Sequence, residues 1–324
     1  MRKTLVLLFA TLLSATALTS ACGQDSDVTA DGDVVIKVGV PRNFGIFSTM
    51  WVRDVQPEGV KIEYSYFPNF SDMLQALNAG KIDMTEVGDI GAISSWVNGG
   101  QVQAVGVSQP NPQQEGILVP ADSDIQGPGD LKGKRINLLR STNAYPFVLN
   151  YIAEAGLTED DIEIVEITGP DALAAYENGD LDAFSTIDPQ MADAQERTGS
   201  RLLTTAEGYV ENLYPYVATT QAIEDKAEAV EAVLAAVADT MAWIPQNREE
   251  QARLLAPKLG FSESAIITAY GRGAEGLQVI DDDFLDGEQD WADTYTELGI
   301  LTKKVDVREV FLTGFNDAVA GSGS

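Results

Sequence analysis

Lys61-Ile62-Glu63-Tyr64-Ser65-Tyr66-Phe67, followed by Ser71-Asp72-Met73-Leu74-Gln75-Ala76-Leu77-Asn78-Ala79-Gly80 and Ile82-Asp83-Met84-Thr85-Glu86-Val87-Gly88-Asp89-Ile90, changes its hydrophobic period twice. Residues 61–67 alternate polar and apolar side chains, as a half-buried strand does. Ser71 is placed to cap a helix that carries Met73, Leu74 and Leu77 on one face, and Gly80 stands just past its end. A strand at 82–87, a turn at Gly88-Asp89, a helix at 90–97 and a strand at 102–107 complete the pattern. Strand and helix in strict alternation build a parallel sheet covered by helices.

Working outward, Val34-Val35-Ile36-Lys37-Val38-Gly39-Val40 reads as an earlier strand. A loop at 41–45 and a short helix through Met50-Trp51-Val52 follow it. Downstream, Gln109-Pro110-Asn111-Pro112-Gln113-Gln114 interrupts the rhythm as a polar crossing between domains. A second unit then repeats it, with strands expected at 117–119, 135–139, 163–167 and 183–187. Helices are expected at 144–155, 170–178 and 189–197. A second crossing fits 213–219, around Tyr214-Pro215-Tyr216. The remainder reads as helices at 221–243, 247–258, 262–270, 284–298 and 306–319. Ile223, Ala227, Val230, Leu234, Val237 and Met241 mark the buried face of the first of these. With too few strands for a sheet of its own, this region is expected to clothe the first unit. The division is then residues 34–112 with 218–324 as one lobe and 113–217 as the other. Two crossings between two α/β lobes imply a hinge and a cleft, with ligand at strand ends and helix starts.

The 324 residues contain 44% hydrophobic side chains, a formal charge of −29, no histidine and one cysteine. The charge speaks against nucleic acid or an anionic membrane surface as partner. The lack of histidine removes His-based triads, most zinc sites and the commonest general base. Binding without catalysis, metal or cofactor, by a monomer, is the expectation.

The chain opens on Met1-Arg2-Lys3, continues as an apolar run and reaches Leu18-Thr19-Ser20-Ala21-Cys22. A basic head, an apolar stretch of this length and small residues at its end describe an export signal over 1–21. A cysteine at that point resembles the lipobox of bacterial lipoproteins. The resemblance implies acylation of Cys22, with lipid anchoring on the outer face of the cell membrane. Residues 22–33 then read as a polar, acidic tether.

Three stretches carry a further resemblance: Phe67-Pro68 with residues 73–83 and Gly88-Asp89-Ile90; Asp130-Leu131-Lys132-Gly133-Lys134-Arg135-Ile136 leading to Arg140-Ser141-Thr142-Asn143-Ala144-Tyr145; and Pro170-Asp171-Ala172 with residues 174–184 and Ile187-Asp188-Pro189. Their order and spacing resemble the extracytoplasmic substrate-binding proteins of ABC importers, in the aliphatic sulfonate, taurine and nitrate group. The resemblance implies a two-lobed type II periplasmic-binding fold with a ligand cleft and two hinge crossings. It also implies capture of a small organic anion, an aliphatic sulfonate or taurine first, and a permease subunit as partner. A nitrate or thiamine-precursor-like ligand, a biosynthetic enzyme on this fold, and a lipoprotein that only senses are the competing readings.

A sulfonate offers acceptor oxygens and no donor, so it needs N–H groups, hydroxyls or a cation, which helix N-termini help to supply. Candidate helix starts follow Gly88-Asp89, Ser141-Thr142-Asn143 and Asp188. Together with these helix starts, the resemblance implies as ligand-binding candidates Asn43, Phe44, Gly88, Asp89, Ile90, Arg140, Ser141, Thr142, Asn143, Tyr145 and Asp188, with Arg42 as a second possible cation. Asp89 or Asp188 could meet an amine, and Phe44, Phe47, Trp51 and Tyr145 could line a tail pocket. Each has a plain alternative: Asp89, Asp188 and Ser141-Thr142-Asn143 as helix caps, Arg140 as a surface ion pair, and the aromatics as core. Gly271-Arg272-Gly273-Ala274-Glu275-Gly276 spells G-x-G-x-x-G but follows a helix, so it lacks the dinucleotide-binding context. Asp281-Asp282-Asp283 reads as a solvated turn before a helix.

Overall fold

The structure, a computed structural model, describes residues 27–41, 45–68, 70–140, 142–273 and 276–320. The export signal, Cys22, Arg42, Asn43, Phe44 and Ser141 lie outside the described residues. No described helix is long and apolar enough to cross a membrane.

The near-continuous apolar run at the start becomes β1 (Val34–Pro41), an interior strand buried along most of its length. Strand β2 (Val60–Phe67) pairs with it in parallel on one side and β3 (Met84–Glu86) on the other. Helices α1 (Ile46–Arg53) and α2 (Phe70–Asn78) make the connections, and α3 (Asp89–Val97) leads on to β4 (Val102–Ser108). The first crossing then carries the chain into the second lobe. There lie β5 (Glu115–Val119), β6 (Arg135–Asn137), α4 (Ala144–Ala153), β7 (Glu163–Val165), α5 (Gly169–Glu177), β8 (Phe184–Ile187), α6 (Gln190–Thr198) and β9 (Arg201–Thr205). The chain returns as β10 (Pro215–Thr219).

Both lobes share one strand order. The first sheet runs β2-β1-β3-β10-β4, with a short strand β11 (Leu277–Gln278) at its edge. In the second lobe β6 pairs with β7, β5 lies between β8 and β9, and a parallel bridge from Ile136 to Ala183 joins the two groups. The order there is β7-β6-β8-β5-β9. In each lobe the strand that has just crossed over runs antiparallel to both of its neighbours, β10 against β3 and β4, and β5 against β8 and β9. The stretch 213–219, expected as a crossing, thus ends in a buried strand. Pro215 opens it, a position where the missing N–H is tolerated.

The helical remainder comprises α7 (Thr220–Asp225), α8 (Ala227–Trp243), α9 (Arg248–Leu259), α10 (Glu263–Gly271), α11 (Asp282–Glu297) and α12 (Asn316–Ala320). The single helix expected over 221–243 is broken at Lys226, whose φ of −135° is not helical. The Lys226 ammonium turns inward to the Val35 carbonyl at 3.1 Å, Asp83 at 3.3 Å and Asp27 at 2.9 Å. The helix expected over 306–319 is two 3₁₀ turns before α12, with Phe311 bridged to Ala104 of β4. Helix α8 covers one face of the first sheet with Val230, Val233, Leu234 and Val237, while α11 packs on the α2–α3 side through Leu285, Ala292 and Tyr295. Helix α10 departs from this plan, because Ala265 and Ala269 pack on Ala192 of α6 in the second lobe.

The segment read as a tether is folded from residue 27 onward. Val28 bridges to Val34, the Val35 N–H donates to the Asp27 carbonyl at 2.8 Å, and Thr29 Oγ1 accepts from the Asp33 N–H. Pairing with β1 satisfies backbone groups that a free tether would leave to water.

Candidate functional site

The two crossings run side by side. The Asn111 N–H donates to the Glu211 carbonyl at 2.8 Å, and the Asn212 side chain donates to the Asn111 carbonyl at 3.0 Å. Ser108 and Tyr214 exchange two more bonds. Beside this ladder, between the lobes, is a cavity of about 60 Å³, lined among others by Glu86, Asn111, Asp188, Tyr214, Tyr216 and Tyr270.

Glu86 ends β3, and its carboxylate accepts from the Ile46 and Phe47 N–H groups at 2.9 and 3.0 Å. The free N–H groups at the start of α1 are therefore occupied by the protein's own carboxyl group. Gly45, at φ 116°, makes this approach possible, since a Cβ there would overlap the Glu86 carboxylate. Tyr270 donates to the Gly45 carbonyl at 3.0 Å and holds the turn from above. Burial lifts the Glu86 carboxyl to about 8, against the lowering effect of those N–H bonds and the Tyr216 hydroxyl.

Asn143, at the start of α4 in the second lobe, reaches α3 in the first. Its side-chain amide lies 3.8 Å from the Cβ position of Gly88 and hydrogen-bonds Asp89. Asp89 and Asn143 are both buried, and Asn143 Oδ1 has no partner within the protein. Burial raises the Asp89 carboxyl to about 6. The N-termini of α3 and α4 thus face one another across the cleft, with Gly88, Asp89, the Ile90 N–H and Asn143 gathered between them. The Ile90 N–H donates to Asp89 Oδ1 at 2.6 Å, while the Ile90 side chain enters the core.

Asp188 lies at the start of α6. One nitrogen of Arg272, Nη1, donates to both of its oxygens at 3.0 Å, and the Ala192 N–H donates to it at 3.0 Å. It therefore caps its helix and lines the cavity at once, with burial holding its carboxyl at about 6. An amine of a ligand would find this carboxylate already paired.

The remaining described candidates are placed elsewhere. Thr142 donates to the Leu139 carbonyl at 2.9 Å. Arg140 bonds Glu159, reaches Glu166 at 3.7 Å and donates to the Tyr145 hydroxyl at 2.6 Å, and Tyr145 in turn donates to Glu159. This is an ion pair network on the second lobe, which leaves Arg140 half exposed and the Tyr145 hydroxyl spent. Phe47 packs edge-on against Tyr216, and Trp51 stacks on Tyr66.

Sequence reasoning missed the cavity's own lining. Tyr214 and Tyr216 were visible only as part of a crossing, and Glu86 only as part of a strand. Arg272 sits inside the discounted glycine motif. Two buried acids also went unremarked: Glu115 and Glu288 each carry an oxygen with no partner within the protein, and the charge of Asp89 bears on both. No group of three acids among the described residues is spaced to hold a metal ion.

The family model described as NMT1/THI5 like matches residues 56–251. A protein of Escherichia coli (strain K12) named for aliphatic sulfonate binding is 31% identical over 251 residues, 77% of this chain and 78% of its own length. A protein of Bacillus subtilis (strain 168) with the same description is 25% identical over 322 residues, 96% of this chain and 94% of its own. The crystal structure of the periplasmic aliphatic sulphonate binding protein from Escherichia coli superposes with a TM-score of 0.79 at 27% identity, over 86% of this chain and 92% of that one. The two-lobed strand order and these matches place the chain in the NMT1/THI5-like family, among relatives named as binding proteins.

Proposed function

We propose that this protein is the substrate-binding component of an ABC importer, capturing an aliphatic sulfonate or taurine in the cleft and presenting it to a membrane permease. The observation that supports this most directly is the meeting of the α3 and α4 N-termini through Asn143 and Asp89, one from each lobe. A ligand held there touches both lobes, and only such a ligand shifts their equilibrium toward closure. Helix N-termini favour an anion, and Asn143 and Ser141 are the side chains we assign to it, the Thr142 hydroxyl being committed to the Leu139 carbonyl. Cys22 supplies the lipid anchor that keeps the protein beside its permease. A catalytic reading has less to stand on, since the chain holds no histidine and its single cysteine is assigned to the anchor.

Titration calorimetry of the mature protein against taurine, alkanesulfonates, nitrate, sulfate and thiamine precursors tests the assignment. Saturable heat with a sulfonate and no turnover is expected. Binding of nitrate or a heterocycle alone would replace the ligand and leave the transport reading in place.

A further inference from the structure

Helix α2 carries its apolar side chains on one stripe, Phe70, Met73, Leu74 and Leu77, at the spacing of a single helix face. Three of the four do what the spacing implies: Met73 and Leu77 are buried in the core of the first lobe and Leu74 packs against it. Phe70 does not. Its side chain belongs to none of the apolar clusters among the described residues, and it is 45% exposed. The chain order gives the reason. Phe70 comes three residues after Phe67, where β2 ends, so the stripe begins beyond the edge of the sheet.

That edge is the one where a ligand lies. Strands β1, β2 and β3 are parallel, so their carboxyl ends share it, and β3 leads from there through Gly88 into α3. The Phe70 ring turns toward this helix start, with Cζ 3.5 Å from the Cβ position of Gly91. The Gly91 N–H donates to the Gly88 carbonyl at 2.9 Å, which makes the two glycines adjacent across one turn. Asn143 of the second lobe meets the first glycine and Phe70 meets the second. Neither glycine is fully buried, and neither has a side chain to stand between the Asn143 amide and the Phe70 ring. A single hydrogen-bonded turn thus separates the anion's seat from an open aromatic face.

Resting on the sulfonate reading above, we propose that Phe70 is the residue that reads the ligand's carbon tail: with the sulfonate at the α3 start, the tail runs over Gly91 onto the Phe70 ring. The other described aromatics considered for a tail are engaged already. Phe47 packs on Tyr216, Trp51 stacks on Tyr66, and the Tyr145 hydroxyl is held by Arg140 and Glu159. Phe70 alone of these keeps much of its ring open, and an aromatic ring offers a large apolar area. Each methylene laid on it leaves water in turn, so affinity rises with tail length and Phe70 is the cause of the rise.

The test is calorimetry of the wild-type protein, Phe70→Ala and Phe70→Gln with taurine, ethanesulfonate, butanesulfonate and hexanesulfonate. The wild type is expected to bind hexanesulfonate about tenfold or more tighter than ethanesulfonate, as partial burial of the added methylenes implies. Phe70→Ala should remove most of that gain and leave ethanesulfonate binding nearly unchanged. Phe70→Gln keeps a side chain of similar reach but offers the tail an amide; it should act alike, and it carries the comparison if Phe70→Ala does not fold. Equal wild-type affinity along the series overturns the proposal and spares the sulfonate reading, as does binding of taurine alone. A length dependence that survives in the folded variants overturns it too. So does a variant that weakens every sulfonate alike, because Phe70 then shapes the anion's seat and not the tail's. Binding of none of the four overturns the sulfonate reading and the proposal together.

Discussion

Arg272, just past the end of α10, grips Asp188 at the start of α6 with both carboxylate oxygens 3.0 Å from one guanidinium nitrogen. The Asp188 side chain is 1% exposed and that of Arg272 is 23% exposed. A buried carboxylate stripped of its cation is strongly destabilising, by about 3–5 kcal/mol where the pair is fully enclosed. Arg272→Ala should therefore fall toward the lower end of that range in urea unfolding. Adding Asp188→Asn should recover part of the loss, because the uncompensated charge goes with it.

Acidification should stabilise the ligand-free protein over a defined window. Glu86 and Glu115 both have carboxyls lifted to about 8 by burial, from an ordinary value of 4.5. Groups raised in the folded state favour folding fully below their unfolded value, and that contribution is lost as pH climbs through the folded value. Asp89 and Asp188, raised from 3.8 to about 6, act in the same sense lower down. The melting temperature should thus rise as pH falls from 8 toward 4.5. Glu159, Asp161, Asp182 and Glu196 are shifted the other way and cost stability only at still lower pH. Glu115→Gln should flatten the upper part of the curve. The groups acting on Glu115 and Glu86 are Asp89 for the first, and Tyr216, Tyr270 and the α1 N–H groups for the second.

Gly45→Ala should be among the most damaging single methyl additions in the first lobe. It meets both a positive φ and the Glu86 carboxylate. The backbone strain alone is worth about 1–3 kcal/mol, and moving Glu86 would also release the start of α1. Chemical denaturation would measure the loss; a change below about 1 kcal/mol would show that Glu86 relocates freely.

Asn143→Asp sets a second carboxyl against Asp89 across the cleft. Like charges at that range oppose closure, so affinity for any ligand should fall by about tenfold or more, and because both positions are buried the urea midpoint should fall with it. Affinity from titration and a urea midpoint, taken on the same preparation, separate the two effects.

Arg140→Ala should leave affinity unchanged. Its partners are Glu159, Glu166 and Tyr145 on the second lobe, and with its side chain half exposed the ion pairs are worth no more than about 1 kcal/mol. A clear drop in affinity would show that this network reorganises toward the cleft on binding.

The alternation at 61–67 and the single apolar face at 73–77 were enough to read the first lobe, because each is a local pattern that burial on one side imposes. Strand β10 was not legible: Pro215-Tyr216-Val217-Ala218-Thr219 is short and carries an initial proline, and only its antiparallel partners make it a strand. The break at Lys226 depends on Asp27, Val35 and Asp83, all distant in sequence. The same holds at the site. Asp89 and Asn143 were visible as helix starts, which are local. Glu86, Arg272 and Tyr270 matter through contacts that join residues 45 to 86, 188 to 272 and 45 to 270, and no spacing rule spans such gaps.

The position of β10 between β3 and β4 also orders events in the life of the chain. Residues 34–108 contribute both neighbours of that strand, β3 and β4, yet the strand itself is made only after the whole second lobe has been synthesised. The second lobe, whose own crossing strand β5 comes first, has all its strands in hand by Thr205 and can settle at once. The first lobe must wait with a gap in its middle. A nascent chain halted before residue 215 would thus hold a finished second lobe and an unfinished first one, although the first was the earlier to leave the ribosome.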